Sequence, residues 1–197
     1  MNESILIIFA KNPVLGRVKT RLARTIGNEK ALEVYCSLLS ITRQVTENLP
    51  YDKVVFYSDK IEFEDPLWPE DTYLKRLQEQ ADLGTRMQSA FSWAFDCGYK
   101  RACIIGTDCA QLTSEIIIQA FEALRKKDFV LGPANDGGYY LLGMNTMYEK
   151  VFQNKQWSTS EVLETTLADI RSYRKQVYLL PELIDVDDEE DLKNSRL

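Results

Sequence analysis

Ser4-Ile-Leu-Ile-Ile-Phe-Ala10, followed by Lys11-Asn-Pro-Val-Leu-Gly16-Arg17-Val-Lys19-Thr20-Arg21-Leu-Ala-Arg24, is the stretch on which the fold turns. After Ser4 the first segment is apolar at every position. A strand with one wet face alternates polar and apolar residues, so this run reads as an inner strand of a parallel sheet, covered on both faces. The character then reverses. The next fourteen residues carry five cations, and no acid occurs between Glu3 and Glu29.

Working outward, a helical pattern covers 29–48, with Leu32, Tyr35, Cys36, Leu39 and Val45 on one face. Strands are expected at 52–58, 73–78 and 101–106, and helices at 83–95 and 113–126. Two strands, 128–132 and 139–144, flank a Gly-rich turn. A helix over 160–173, a strand over 176–180 and a short helix over 188–194 complete the chain. Strands alternating with helices specify an α/β fold with a mostly parallel sheet. The length of 197 residues suits a single domain spanning 1–197. Residues 59–71 are acidic and loop-like; within them Leu67-Trp68-Pro69 reads as a loop packed on the core in preference to an oligomer contact.

The chain has no histidine, which removes Ser-His-Asp and Cys-His catalysis, HExxH zinc sites and the imidazole proton shuttle. Proton transfer falls to carboxylates, Lys, Tyr, Cys or water. The net charge of −6 argues against a general nucleic-acid binder, though a local basic patch suffices for a nucleotide. No apolar run is long enough to span a bilayer, and the first strand begins too early for a secretory leader, so the expected location is the cytoplasm. Cys36, Cys97, Cys103 and Cys109 have no C-x-x-C spacing and read as reduced structural thiols.

In parallel sheets ligands lie at the carboxyl ends of strands. The basic loop falls there and opens toward a helix, so phosphate oxygens would meet Lys11, Lys19, Arg21 and loop NH groups around Gly16. It is not a Walker A loop: Lys19 lacks a preceding glycine, and the first glycine of that motif is missing. A G-x-G-x-x-G fingerprint is also absent. Asp108 ends the third strand in Gly106-Thr107-Asp108. A carboxylate beside phosphates calls for a bridging hard cation, Mg²⁺ or Mn²⁺; the competing reading is a cap on the following helix. Asp136-Gly137-Gly138 suits either close approach to a ligand or a hairpin turn. Asp185 and Asp187 alternate with Ile184 and Val186, so both acids can point one way and one of them can complete a metal site.

Six segments in order, FAKNPVLGRVKTRLA (9–23), LGTRM (83–87), GTDC (106–109), GPANDGGYYLLG (132–143), WSTS (157–160) and DVDDEEDL (185–192), resemble the radical-SAM/selenodomain-associated transferase family, placed in the GT-A or nucleotide-diphospho-sugar transferase superfamily. The resemblance implies a three-layer α/β/α sandwich of Rossmann-like GT-A type built on a mixed sheet, with a nucleotide over its first half and a small-molecule acceptor over its second. By residue, it implies phosphate contacts at Lys11, Lys19 and Arg21, nucleotide contacts at Gly84 and Arg86, and metal contacts at Asp108 and Asp187. It also implies an acceptor-facing Asp136, Gly137 and Gly138. Trp157, Ser158 and Thr159 match a further segment with no derived role. Ala110 stands where the family usually has Pro, and Asp188 where it usually has Thr. A similar K…KTRL pattern occurs in phospholactate guanylyltransferases. Three functions therefore stay open. The first is a metal-dependent glycosyltransferase-like enzyme with a nucleotide-diphosphate-sugar donor. The second is a nucleotidyltransferase joining NMP from an NTP to a phosphorylated small molecule. The third is a non-catalytic nucleotide-binding module.

Overall fold

The apolar run at 4–10 forms strand β1 (Ser4–Ala10), an inner strand of a seven-stranded sheet. The computed structural model describes residues 2–195 and 197. β2 (Asp52–Tyr57) and β4 (Arg101–Ile105) flank β1 in parallel, and β3 (Leu74–Leu77) extends the sheet beyond β2. On the other side lie β6 (Tyr139–Met144), β5 (Phe129–Pro133) and β7 (Val177–Leu179), giving the order β3-β2-β1-β4-β6-β5-β7. β6 is antiparallel to both β4 and β5, so it is the reversed strand of a mostly parallel sheet. The carboxyl ends of β1, β2, β3, β4 and β5 therefore share one edge with the start of β6.

Side chains of β1 alternate between two cores, as the pleat requires. Leu6, Ile8 and Ala10 join a cluster with Tyr35 and Leu39 of helix α2 (Asn28–Thr46) and with Ile117, Ala120 and Phe121 of α4 (Ser114–Ala123). Ile5 and Ile7 face the opposite cluster, with Met87, Ala90, Phe91 and Ala94 of α3 (Leu83–Asp96) and Ile170 of α5 (Val162–Ser172). Helices thus cover both faces, the three-layer sandwich that the unbroken apolar run implied. Trp68 is buried edge-on to Tyr73, their ring centres 5.0 Å apart, so the acidic loop is pinned to the core.

Two elements depart from the sequence reading. Residues 20–26, where the sequence reading assigned no element, form helix α1 (Thr20–Ile26). Its N-cap, Lys19, has left-handed φ 47° and ψ 46° and makes no side-chain cap, so the usual Ser/Thr/Asp start signal is missing. Gly27 at φ 87° separates α1 from α2. A 3-10 turn at Glu149–Phe152 was also not expected. The terminal helix α6 (Glu189–Asn194) does match, started by a capping box between Asp188 and Asp191. No described helix is long and apolar enough to cross a membrane.

At the sheet edge opposite the strand carboxyl ends, Asp128 fastens β7 to β5. Its carboxylate accepts from the Gln176 backbone N–H at 2.9 Å, from Lys175 Nζ at 3.2 Å and from the Tyr148 hydroxyl at 3.4 Å. Burial pushes this carboxyl up, but the hydrogen bonds from Gln176, Lys175 and Tyr148 outweigh it and hold the group below its ordinary value. Asp128→Asn should lower unfolding free energy at pH 7 by about 1–3 kcal/mol, the scale of charge-assisted hydrogen bonds. A carboxylate whose folded pKa is depressed stabilises above its unfolded pKa and loses that contribution as pH falls through the folded value. Urea unfolding should therefore show the gap between the two proteins closing below about pH 4.

Candidate functional site

The shared strand edge opens into a cleft of about 440 Å³. Its walls come from the segments following β1 and β4, the start of β6, the first turn of α3, the segment 157–159 and the terminal stretch 185–187. Several positions are fixed by residues with no motif character. Tyr35, reaching up from α2, accepts from the Lys11 N–H at 2.8 Å and lies 3.0 Å from the Lys11 carbonyl and 3.2 Å from Thr107 Oγ1. It joins the ends of β1 and β4. Buried Asn12 accepts from the Asp59 and Lys60 N–H groups and donates to the Lys60 carbonyl, which ties the loop after β1 to the loop after β2. Neither role was read from the sequence. The one signal was a hydroxyl-bearing Tyr on an otherwise apolar helix face.

Lys19 is the centre of the site. Its side chain is 4% exposed and its ammonium pairs with the Asp108 carboxylate. The same nitrogen donates to the Val186 carbonyl at 2.7 Å and lies 3.9 Å from Asp187 Oδ1. Arg21 Nη1 reaches Asp187 Oδ2 at 3.1 Å from the open side. The left-handed backbone at Lys19 turns its side chain inward while the neighbouring Arg17 and Thr20 remain exposed. A free phosphate contact through Lys19 is therefore not what this arrangement presents: its charge is engaged by Asp108.

Asp108 caps no helix. The cap of α4 is Thr113, whose hydroxyl accepts from the Ile116 N–H at 3.3 Å. The Asp108 side chain is instead 43% exposed and lines the cleft. The terminal stretch is stitched beside it: the Val186 N–H donates to the Asp108 carbonyl at 2.9 Å. Asn135 accepts from the Asp185 N–H at 3.3 Å and donates to Asp191 at 3.1 Å, and Asp191 accepts from the Asp187 N–H at 3.1 Å. Alternation does bring both acids to the cleft. Burial raises Asp185 to about 8, with the charges of Asp108 and Asp136 adding to the effect and Lys19 opposing it. Burial also raises Asp187, against the pull of Lys19. Four carboxyl groups thus gather at the cleft, and their mutual repulsion together with burial favours the neutral form of Asp185 and Asp187. Cys109, also on the wall, is pushed up to about 12 by burial and by Asp185, so it is no nucleophile at neutral pH.

The remaining candidates divide. Lys11, Arg86, Asp136 and Gly138 line the cleft; Gly16, Gly84 and Gly137 do not. Gly16 is exposed in the basic loop, facing Asn28. Arg86 is anchored by Nε to the Ala81 carbonyl at 2.7 Å and by Nη1 to Gln78 at 3.4 Å. Asp136 accepts the Gly138 N–H at 2.8 Å within the β5–β6 hairpin connection, so Asp-Gly-Gly is a hairpin turn whose Asp136 and Gly138 line the cleft. Gly137 and Gly84 serve close packing. A Cβ on Gly137 would lie 2.2 Å from the Ser160 carbonyl oxygen, and one on Gly84 2.5 Å from Trp157 Nε1 and 2.6 Å from the Phe152 carbonyl oxygen. They receive the segment 153–160, which Lys155 anchors through a buried ion pair to Asp169 at 2.7 Å. That packing puts Trp157, Ser158 and Thr159 on the cleft wall.

Strands, cleft and acids together define an α/β protein of the nucleotide-diphospho-sugar transferase and cytidylyltransferase fold type. The chain belongs to the family described as "Uncharacterized protein conserved in bacteria (DUF2064)", which it matches over residues 41–159. A crystal structure from Desulfovibrio desulfuricans G20, described as a "putative nucleotide-diphospho-sugar transferase", is 34% identical with TM-score 0.90, over 98% of this chain and 85% of that one. A cytidylyltransferase from Leptospira borgpetersenii is 13% identical with TM-score 0.63, over 98% of this chain and 84% of that one. Rv0371c of Mycobacterium tuberculosis H37Rv, crystallised with manganese, is 12% identical with TM-score 0.58, over 98% of this chain and 96% of that one. At these last two identities the likeness is one of fold. No protein of curated function matches the chain.

Gly84→Ala tests the packing of the 153–160 segment. Alanine favours a helix over glycine by about 1 kcal/mol. The clash with Trp157 and the Phe152 carbonyl should reverse that gain, for a net loss of about 1–3 kcal/mol typical of overpacking. Denaturant unfolding measures it, and a more stable variant would show that the segment yields freely.

Proposed function

We propose that the protein is a metal-dependent transferase that takes a nucleotide-diphosphate-sugar donor and passes the glycosyl group to a small hydroxyl-bearing acceptor, acting as one domain over 1–197. The observation that carries the reading is the opposition, in one cleft, of cations from the basic loop and carboxylates from β4 and the terminal stretch. The 34%-identical structure described as a "putative nucleotide-diphospho-sugar transferase" supports it. So does the ordered set of six sequence segments, which resembles the radical-SAM/selenodomain-associated transferases.

The donor set fits a hard cation. Asp108 and Asp187 present oxygen ligands side by side at the cleft, and Mg²⁺ or Mn²⁺ is held by one or two carboxylates together with phosphate oxygens. No group of three or more His, Cys, Asp or Glu side chains forms a ready cage among the described residues, in keeping with a site that phosphate completes. When bound, the ion would neutralise charge on the leaving diphosphate. The chain's own residues do the rest. Lys11 and Arg21, both exposed, meet phosphate oxygens from the open side. Arg86, held by Ala81 and Gln78, borders the nucleotide. Asp136, oriented by the Gly138 N–H, accepts the proton of the acceptor hydroxyl as the new bond forms. Transfer of this kind rests on positioning and electrostatics and needs no histidine.

Thermal denaturation with nucleotide sugars and NTPs, each with and without Mn²⁺, tests the reading. A nucleotide sugar with Mn²⁺ should raise the melting temperature by several degrees, and Asp108→Asn should abolish the metal-dependent part. Incubation with an acceptor pool then separates the chemistries. Release of nucleoside diphosphate supports glycosyl transfer. Release of pyrophosphate from an NTP would assign nucleotidyl transfer instead, the activity named for the cytidylyltransferase that shares this fold. A second check is Asp136→Asn, which should lower kcat by about 10²–10⁴-fold while leaving the Mn²⁺-dependent melting shift in place.

A further inference from the structure

We propose that Lys19 is a built-in counter-ion that competes with the divalent cation for Asp108, so that metal binds well only together with the donor's diphosphate. The inference rests on the metal-dependent reading above and deepens it by assigning Lys19 the role of setting metal affinity.

Three observations carry it. The Lys19 ammonium already pairs with the carboxylate expected to ligate metal, and lies 3.9 Å from the second, Asp187. It is held in that seat by a third bond, to the Val186 carbonyl at 2.7 Å, on a side chain only 4% exposed. Its backbone adopts the left-handed conformation that aims the chain inward, an arrangement that a non-glycine residue takes only at a cost. By contrast, Arg17, Arg21 and Arg24 of the same loop are all exposed.

The physical consequence is a conflict of charge. A divalent cation arriving alone at Asp108 meets a fixed positive charge that cannot relax into solvent. It must either displace the ammonium or bind beside it against repulsion, in a partly desolvated wall where charges are poorly screened. Diphosphate relieves both difficulties. Its oxygens complete the metal's ligand shell and supply the negative charge that balances Lys19. Metal and diphosphate therefore favour each other, and by linkage the coupling is reciprocal. Arg21 cannot play this part, because its bond to Asp187 lies on the open side and its guanidinium is free to swing away.

Calorimetric titration with Mn²⁺ alone tests the proposal, comparing the wild-type chain with Lys19→Met. Removing the ammonium should tighten Mn²⁺ binding by about tenfold or more, within the usual span of a coupling between sites. Adding Asp108→Asn to the variant should abolish the gain. Lys19→Gln, whose amide can keep the bond to the Val186 carbonyl, repeats the measurement should the apolar side chain prevent folding. Lys19→Arg, which keeps the charge, should show no gain. If Mn²⁺ binds the neutral variants no more tightly than wild type, while a nucleotide sugar with Mn²⁺ still stabilises the wild-type protein, the competition is refuted and the transferase reading stands. If neither protein takes up Mn²⁺, alone or with nucleotide sugar, both fall.

Discussion

One ammonium group ties the working edge of this protein together. Lys19 Nζ joins the loop after β1, the end of β4 through Asp108, and the terminal stretch through Val186. Lys19 and Asp108 are 89 residues apart in the chain, and Asp108 and Val186 a further 78. Without a cation among them, Asp108, Asp136, Asp185 and Asp187 would face one another across a cleft whose walls raise the cost of every uncompensated charge. The pairing is one-sided in burial: the Lys19 side chain is 4% exposed and that of Asp108 43%, so the ammonium depends on the carboxylate more than the carboxylate depends on it. The basic loop thus has two jobs divided among its residues. Lys19 faces inward and balances the charge of Asp108, while Lys11 stands exposed at the cleft and Arg21 pairs with Asp187 from its open side.

The sheet decides where that ammonium can act. Six strands run one way and β6 runs the other, so six carboxyl ends and the start of β6 meet at one edge. The reversal brings the Asp136–Gly138 turn of the hairpin up beside the ends of β1 and β4. Tyr35 and Asn12 then lock the first loops in place with hydrogen bonds to backbone, leaving side chains such as Lys11 unencumbered. On the far wall, two glycines allow the 153–160 segment to approach where any side chain would collide. The cleft is accordingly braced by hydrogen bonds beside β1 and shaped by close packing on the opposite wall.

Much of this was legible beforehand. The unbroken apolar run of β1 specified burial on both faces, because a half-wet strand cannot be apolar at every position, and the alternating strands and helices followed from period alone. The acids at Asp108, Asp185 and Asp187 were legible because they end or follow strands, where a parallel sheet exposes its ligand edge. Helix α1 was not, since its start carries no capping side chain and its cap adopts a left-handed backbone that Lys does not advertise. Gly84 and Gly137 were visible as motif members, but their role was not. A glycine that approaches a ligand and one that approaches a tryptophan look the same in a linear chain.

The sequence by itself determined the α/β class, the edge at which a ligand would lie, the excess of positive charge in one loop and of carboxylate near three others, and the exclusion of histidine chemistry. Those depend on periodicity, composition and local order, which a linear string contains. Only the tertiary structure decided which charges meet. Lys19 and Arg21 are two residues apart and equally basic on paper, yet one is buried against Asp108 and the other stands open beside Asp187. The difference arises because the backbone at Lys19 turns its side chain inward onto segments distant in sequence, and Coulomb pairing falls off with distance in space while being blind to separation along the chain.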